Sequence, residues 1–306
     1  MPDSAWFDDL PVIGRMAPEI AAARLRDAGL HDDANAIEAA APIFAGGGGL
    51  RLFQPRPWQH TSHTFGYLAP VKENEAGHAL DIAQAGAITP DLRLKNSRVK
   101  ITLDRLGVIG YPGFGMHQIL FDFAAQNQVP GQVEHVHFNA AYRVREGEQA
   151  GIMGYPIFIG LNVGEEGIAF RCYTVNVMNQ SDEEILQMLD SDVFRSGLKL
   201  ASTLNPVIAP LSQMALGITR ALAQRNRNIP VQDFALGLDF SNVATRARLA
   251  EGSYLAVQIP EELEPAWDWR EWVYQPTVGQ VVKREDPGVR IPYNYLVFSV
   301  SRYHER

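Results

Sequence analysis

The sequence predicts a mostly β protein of the α+β class, an antiparallel β-sandwich with an N-terminal helical segment and a helical insert. Two observations predict the sheets: from about residue 98 apolar and polar residues alternate, and short stretches with glycine and proline separate the alternating runs. A third observation predicts the helices, because residues 1–45 and about 181–227 carry helix-favouring composition and spacing. Connections this short leave no room for crossover helices, which favours antiparallel pairing.

The first predicted unit is an acidic helical segment, residues 1–45. It contains eight acidic and three basic residues, and its alanine, leucine, arginine and glutamate favour helix. Ala28, Gly29 and Leu30 predict a break between two short helices. A joint and irregular region rich in glycine and proline follows at 46–97 and opens with four consecutive glycines, which predict a mobile joint. No Lys-Ser or Lys-Thr pair follows these glycines, so they do not match a phosphate-binding loop.

The second large unit, residues 98–306, is predicted to be the sandwich domain. Its strands each place apolar side chains on one face, in the sets Val99, Ile101 and Leu103; Ile119, Phe121 and Phe123; and Phe234, Leu236, Leu238 and Phe240. A helical insert at about 181–227 interrupts the strands. An amphipathic helix that lies on a sheet is predicted there by the helical spacing of Leu211, Met214, Ile218 and Leu222.

The composition disfavours some classes of function. Lysine and arginine number 27 against 35 aspartates and glutamates, and the net charge of −8 disfavours nucleic-acid binding. Acidic residues stand where a secretory signal would have a basic flank, so we expect a soluble cytoplasmic protein. Cys172 is the only cysteine, which excludes an internal disulfide and a thiolate metal cluster within one chain. It lies in a strand-like run and is expected to be buried.

The run EHVHFNAAYRVRE, residues 134–146, holds the first candidate site. Strand alternation puts Val136, Phe138, Ala140, Tyr142 and Val144 on the core face, and the opposite face then carries His135, His137, Arg143 and Arg145. The leading interpretation of this second face is surface that lies in solvent or against another element of the fold, and it is also a candidate face for binding a ligand or a partner. The alternative is a divalent metal site, in which His135 and His137 are joined by Glu146 or by a more distant carboxylate.

The second candidate site is WDWREWVY, residues 267–274, which contains Trp267, Trp269 and Trp272. On one exposed strand face, Trp267 and Trp269 would form a flat platform for a partner or ligand. The alternative is that the tryptophans pack inward and close an edge of the sandwich. Two further histidines, His60 and His63, follow a proline-rich stretch and are expected in an exposed, irregular loop.

Residues 200–219 carry no charged side chain over a length that would span a bilayer. Two prolines and several polar residues within them argue against a constitutive membrane span. Conditional contact with a membrane by this helical segment stays open as an alternative.

The sequence therefore predicts a non-enzymatic interaction or ligand-binding module that binds a protein partner or self-associates and has no cofactor. The grounds are good sandwich patterning without a recognisable set of nucleophile, base and oxyanion donor. One alternative is a metal-dependent enzyme built on His135 and His137. The other alternative is a conditionally membrane-active effector that uses residues 200–219.

Overall fold

The computed structural model describes residues 6–44, 55–71, 77–189, 191, 195–201, 205–241 and 246–304. Strands account for 41% of the structure and helices for 25%, so the protein is mostly β, as predicted. The glycine run at 46–49 lies outside the described residues.

Fifteen strands and four α-helices form the described part of the chain. The helices are α1 (Pro18–Asp27), α2 (His31–Phe44), α3 (Glu183–Leu189) and α4 (Ile208–Gln224). The strands are β1 (Ser62–Leu68), β2 (Leu80–Asp81), β3 (Ala83–Gln84), β4 (Arg98–Gly107), β5 (Met116–Val129), β6 (Gln132–Arg145), β7 (Gln149–Asn162), β8 (Gly167–Asn176), β9 (Leu198–Lys199), β10 (Ile229–Asp239), β11 (Ala247–Arg248), β12 (Gly252–Ile259), β13 (Trp272–Gln275), β14 (Gln280–Lys283) and β15 (Tyr295–Arg302).

Two large sheets make the sandwich. The seven-stranded sheet has the order β3-β1-β12-β15-β4-β7-β9, and the five-stranded sheet has the order β11-β10-β8-β5-β6. A small third sheet has the order β14-β13-β2. All pairs between named strands are antiparallel except the two-residue edge strands β9 and β11, which pair in parallel. The predicted antiparallel sandwich is confirmed.

The main core lies between the two large sheets. All three predicted sets of alternating apolar residues, on β4, β5 and β10, are buried in it. Tyrosine, phenylalanine and β-branched side chains suit such pleated surfaces because neighbouring strands bring them into contact. The two-residue turn between β5 and β6 holds Pro130 and Gly131, and Gly131 has a φ of 82° that favours glycine. This turn sets the register of β5 and β6, in which His137 lies opposite Ala124 and His135 opposite Gln126.

The region 46–97 supplies strands to these sheets. Strand β1 pairs with β12 and with β3 inside the seven-stranded sheet. The prediction of an exposed loop at His60 and His63 is wrong, because both side chains are buried and His63 lies on β1. Strand β1 is covered on both faces, so its sequence lacks the alternation that reveals a half-buried strand.

The outer faces of both large sheets are also covered. Residues 6–12, α3 and α4 pack on the outer face of the five-stranded sheet and form a second apolar cluster. A third cluster, which includes Trp269, Trp272 and residues of the small sheet, covers the seven-stranded sheet. Helix α1 adds Ala21, Ala22 and Leu25 to the main core.

The amphipathic helix predicted near residue 211 is α4, and the C-terminal half of its predicted apolar stripe is buried, since Leu222 is fully buried and Ile218 packs against the second apolar cluster. Ser212, Ala215 and Thr219 face the sheet, whereas Leu211 is 40% exposed and Met214 is 44% exposed. The sheet beneath α4 presents polar groups, so the helix buries its small and hydroxyl side chains there and leaves part of its apolar stripe in solvent.

Candidate partner-binding groove

A segment near the start of the chain packs on the outer face of the five-stranded sheet, and we call the part of that face that it contacts, which includes His135, His137, Arg171, Tyr173 and Asp233, the groove. We call residues 6–16 the N-terminal strap. The strap lies against side chains of β5, β6, β8 and β10 and beside α4. Because the strap is remote in sequence from every strand it contacts, its position is set by tertiary packing.

Two aromatic side chains anchor the strap. Phe7 is only 1% exposed and lies between two rings, stacked on Tyr173 with centroids 5.0 Å apart and edge-on to His137 at 5.4 Å. Trp6 meets the ring of His135 edge-on at 4.9 Å. Such stacked and edge-on pairs add to the free energy gained by burying the rings. His135 and His137, both predicted site residues, therefore contact the strap directly.

Charged side chains hold the strap at three further points. Arg171 on β8 donates from Nη1 to Asp8 Oδ1 at 2.8 Å, and Arg220 Nε on α4 lies 3.4 Å from Asp9 Oδ2. Arg15, at the other end of the strap, donates from Nη1 to Asp233 Oδ2 at 2.8 Å. The groove thus matches the charges of the strap as well as its apolar side chains.

Arg171 is at the centre of this arrangement. Its guanidinium carbon lies 5.5 Å from the Trp6 ring centroid and 5.6 Å from that of Phe7, and its Nη2 donates to Asp233 Oδ1 at 3.2 Å. Burial acts to lower the pKa of Arg171, but the hydrogen bond to Asp8 and the charge of Asp233 raise it above its ordinary value. Arg171 therefore stays cationic while it contacts the aromatic and the acidic side chains of the strap.

A buried polar cluster lies beneath α4 in the same sheet face. His137 Nδ1 donates to Asp122 Oδ1 at 3.0 Å, and Thr219 Oγ1 donates to Asp122 Oδ2 at 2.7 Å. Asn139 Nδ2 donates to Thr219 Oγ1 at 2.9 Å, and the His137 backbone N–H donates to Ser212 Oγ at 3.1 Å. These bonds attach α4 to β5 and β6, since buried polar groups must find partners within the protein.

The predicted metal-ligand set is not brought together. Glu146 follows His137 by nine residues and lies directly after the end of β6 at Arg145. At about 3.3 Å per residue it lies roughly 30 Å away, which is too far to share one ion. Burial raises the pKa of Glu146 and the neighbouring charge of Arg56 acts to lower it, so Glu146 belongs to another environment. Within the described ranges, no three histidine, cysteine or acidic side chains group together as metal ligands.

His135 is half-buried beside the strap. Burial lowers its pKa, and the neighbouring His137 lowers it further. Its Nδ1 atom is buried without a hydrogen-bond partner among the described residues. His135 therefore acts in the groove as a neutral ring rather than as a cation.

Arg143 and Arg145, the other predicted residues of this face, lie at the far end of β6. Arg143 Nη2 bonds to Glu183 Oε1 on α3 at 2.5 Å, and Arg145 lies opposite Met116 in the strand register. Glu183 and Met116 border an open pocket of about 240 Å³, also lined by Pro112, Gly113, Phe114, His117, Gln118, Asn176, Val177, Met178, Asn179 and Gln180. This volume is below the range of about 300–1,000 Å³ for small-molecule sites.

The three predicted tryptophans lie on the opposite side of the sandwich. Trp269 and Trp272 are buried, and the half-buried Trp267 stacks on Trp272 with centroids 5.9 Å apart. Trp267 and Trp269 do not lie on a strand, because Asp268 caps a short 3₁₀ helix, Trp269–Glu271, by accepting from the Arg270 backbone N–H. They cover the seven-stranded sheet and do not form an exposed strand platform.

Trp6, Phe7 and Arg171 were missed by sequence reasoning. Two signals could have found them. An aromatic pair followed by two aspartates, Trp6 to Asp9, is unusual at the start of a helical segment, and Arg171 is a charged residue within an apolar strand. A charged side chain at such a position indicates an oppositely charged or hydrogen-bonding partner nearby, because burying an unpaired charge costs free energy.

The fold is a β-sandwich of two large sheets, and the N-terminal strap covers part of the outer face of its five-stranded sheet. Comparison with known protein families, with curated proteins and with solved structures finds no match. No helix among the described residues combines the length and the apolar character needed to cross a membrane.

Proposed function

We propose that this chain is a protein-interaction module whose recognition surface is the groove occupied by the N-terminal strap. The single observation that carries this proposal is the contact set of the strap: an aromatic anchor in a closed slot, flanked by aspartates on arginines. His135 and His137, which the sequence analysis named as a candidate partner-binding face, belong to this groove because both rings contact the strap. In this view the strap occupies the place that a partner segment takes.

The composition of the groove supports this proposal. Aromatic and arginine side chains dominate the binding energy of protein interfaces, and they are most effective where water is excluded. Full burial of one phenylalanine side chain contributes about 1.5–3 kcal/mol, so Phe7 alone supplies a substantial part of the binding free energy. The strap is a turn followed by a short 3₁₀ helix, with the Leu10 N–H donating to the Phe7 carbonyl at 2.8 Å, so a partner segment would present its aromatic side chain from a turn rather than from an extended strand.

The tethered strap also explains how binding would be controlled. A segment on the same chain competes at an effective concentration of about millimolar or higher, so a partner segment must bind well to displace it. Weakening the strap is therefore expected to strengthen binding of an external segment without any change to the groove.

The test uses a fluorescent peptide of residues 1–16 and the full-length protein. The strap-weakened variant carries Phe7→Ala and Asp8→Asn, which remove the anchor ring and one carboxylate of the strap. In fluorescence anisotropy, we expect this variant to bind the peptide and the wild-type protein to bind it more weakly. A peptide with Phe7→Ala should bind to neither protein.

Circular dichroism of the strap-weakened variant checks that it is folded. Trp6→Ala removes a half-buried ring and supplies a second weakened strap if the first variant unfolds. Absence of peptide binding to every folded variant would contradict the proposed function.

A second candidate function has an observation of its own. Conditional contact of residues 200–219 with a membrane is supported by the exposed apolar side chains of Val207, Leu211 and Met214 on one side of α4 and its start. The test is sedimentation with neutral and anionic lipid vesicles. We expect the wild-type protein to sediment with vesicles and Leu211→Glu with Met214→Glu to remain in solution. Equal behaviour of the two proteins would remove this candidate.

A further inference from the structure

We infer that Arg171 is the specificity-determining residue of the groove, and that the partner segment carries an aromatic residue followed directly by an aspartate. This inference rests on the proposed function and specifies the class of ligand. The strap sequence Phe7-Asp8 is the occupant from which the class is read.

The position of Arg171 does not depend on the strap alone. Its side chain is 15% exposed, and the Asp233 side chain that holds it is 6% exposed. Both residues belong to the neighbouring strands β8 and β10, which are paired along most of their length. Asp233 thus holds one side of the guanidinium from within the sheet, apart from the contacts that the strap makes with it.

Arg171 divides its hydrogen bonds between sheet and ligand. Nη2 donates to Asp233, at 3.2 Å from Oδ1 and 3.4 Å from Oδ2, and Nη1 donates to Asp8 Oδ1 at 2.8 Å. The fork geometry of arginine permits this division, because its donors point in fixed directions from one plane. A lysine has a single ammonium group and could not present the same fixed plane.

The same guanidinium contacts the rings of Trp6 and Phe7. An arginine over an aromatic ring is attracted by the negative face of the ring, and this attraction is stronger where water is excluded. The aromatic residue and the following acid are thus recognised by one side chain. A ligand with an aromatic residue but without the neighbouring acid would lose a charge-assisted hydrogen bond at a largely buried arginine.

The second acid of the strap is recognised differently. Asp9 Oδ2 lies 3.4 Å from Arg220 Nε, a longer contact than the 2.8 Å hydrogen bond from Arg171 Nη1 to Asp8 Oδ1. Both carboxylates are substantially exposed, Asp9 at 47% and Asp8 at 64%, so each contributes modestly, and the longer contact of Asp9 is expected to affect affinity less than the shorter one of Asp8. This difference provides a matched control within the same segment.

The experiment is a double-mutant cycle on the strap-weakened, full-length variant. The peptide of residues 1–16 and the same peptide with Asp8→Asn are each titrated against the variant with and without Arg171→Gln. Asp8→Asn should weaken binding about 2–5-fold when Arg171 is present, the loss expected for an ion pair whose acid is largely exposed. In the Arg171→Gln background the same peptide change should alter affinity by less than about 1.5-fold, because its partner is gone.

The control replaces Arg220, the partner of Asp9. In an Arg220→Gln background the cost of Asp8→Asn should remain about 2–5-fold, since Arg171 is intact. Independent effects of Asp8→Asn and Arg171→Gln, with binding still measurable, would overturn this inference and leave the proposed function standing. Loss of all peptide binding in the strap-weakened variant would instead refute the proposed function itself.

Discussion

Acid should destabilise this protein through a histidine in its core, His63. The side chain of His63 is 4% exposed, its ring packs 5.0 Å from Phe234, and its Nε2 lies 3.4 Å from Gln232 Oε1. Burial lowers the pKa of His63 to about 3, with a smaller opposing effect from the Gln232 hydrogen bond. The folded protein therefore keeps this ring neutral over a pH range in which the unfolded chain protonates it.

The sign and size of the effect follow from proton binding. Between pH 6.5, the ordinary pKa of the group, and about 3, the unfolded state binds more protons than the folded state. Stability is thus fully present above pH 6.5 and is lost as the pH falls through this window. Each pH unit is worth about 1.4 kcal/mol, so acidification to about pH 4.5 should remove about 3 kcal/mol of unfolding free energy through His63.

The assay is urea denaturation of the wild-type protein and of His63→Gln at about pH 7 and about pH 4.5. Glutamine does not titrate and can hydrogen-bond to Gln232, so the variant should lose about 3 kcal/mol less than the wild type on acidification. Other titrating groups are common to both proteins and cancel in this difference. His304→Ala, at an exposed position, should follow the wild type.

His60 adds a second effect of the same sign. Burial lowers its pKa to about 4, with an opposing effect from the charge of Glu262. The pH dependence assigned to His63 would be refuted if wild type and His63→Gln lost the same free energy between the two pH values. A larger loss in His63→Gln than in the wild type would also contradict the assigned sign.

Further substitutions test the attachment of α4 and the packing of the seven-stranded sheet. Thr219→Val leaves the buried Asp122 without one donor and should reduce the unfolding free energy by about 1–3 kcal/mol, measured by urea denaturation. Leu211→Ala, on the exposed side of the same helix, should change it by less than about 0.5 kcal/mol. Equal losses in these two variants would contradict the assigned face of α4. Gly107→Ala would place a Cβ atom 2.3 Å from the Tyr295 ring, so the free energy of unfolding is expected to fall by about 1–3 kcal/mol. Thermal unfolding should then show a lower melting temperature, and an unchanged melting temperature would show that the ring can move aside.

Local alternation accounts for the parts of the fold that were predictable. In β4, β5, β6 and β10 one face meets the main core, so successive side chains report burial directly. Strand β1 gives no such signal because it is buried on both faces, and His63 could not be assigned to the core from its neighbours in sequence. The spacing of α4 predicted a helix, yet the choice of buried face depended on Asp122 and Asn139 beneath it.

The common face of His135 and His137 was already contained in the residue order, because a strand repeats every two residues and both side chains must point the same way. The residue order did not show which segment covers that face. The strap lies more than a hundred residues from these histidines in sequence, and its docking depends on a slot between Tyr173 and His137 and on the placement of Arg171. Short-range pattern therefore determines which residues form a surface, whereas the fit of distant charges and rings, which exists only once the chain is packed, determines what that surface binds.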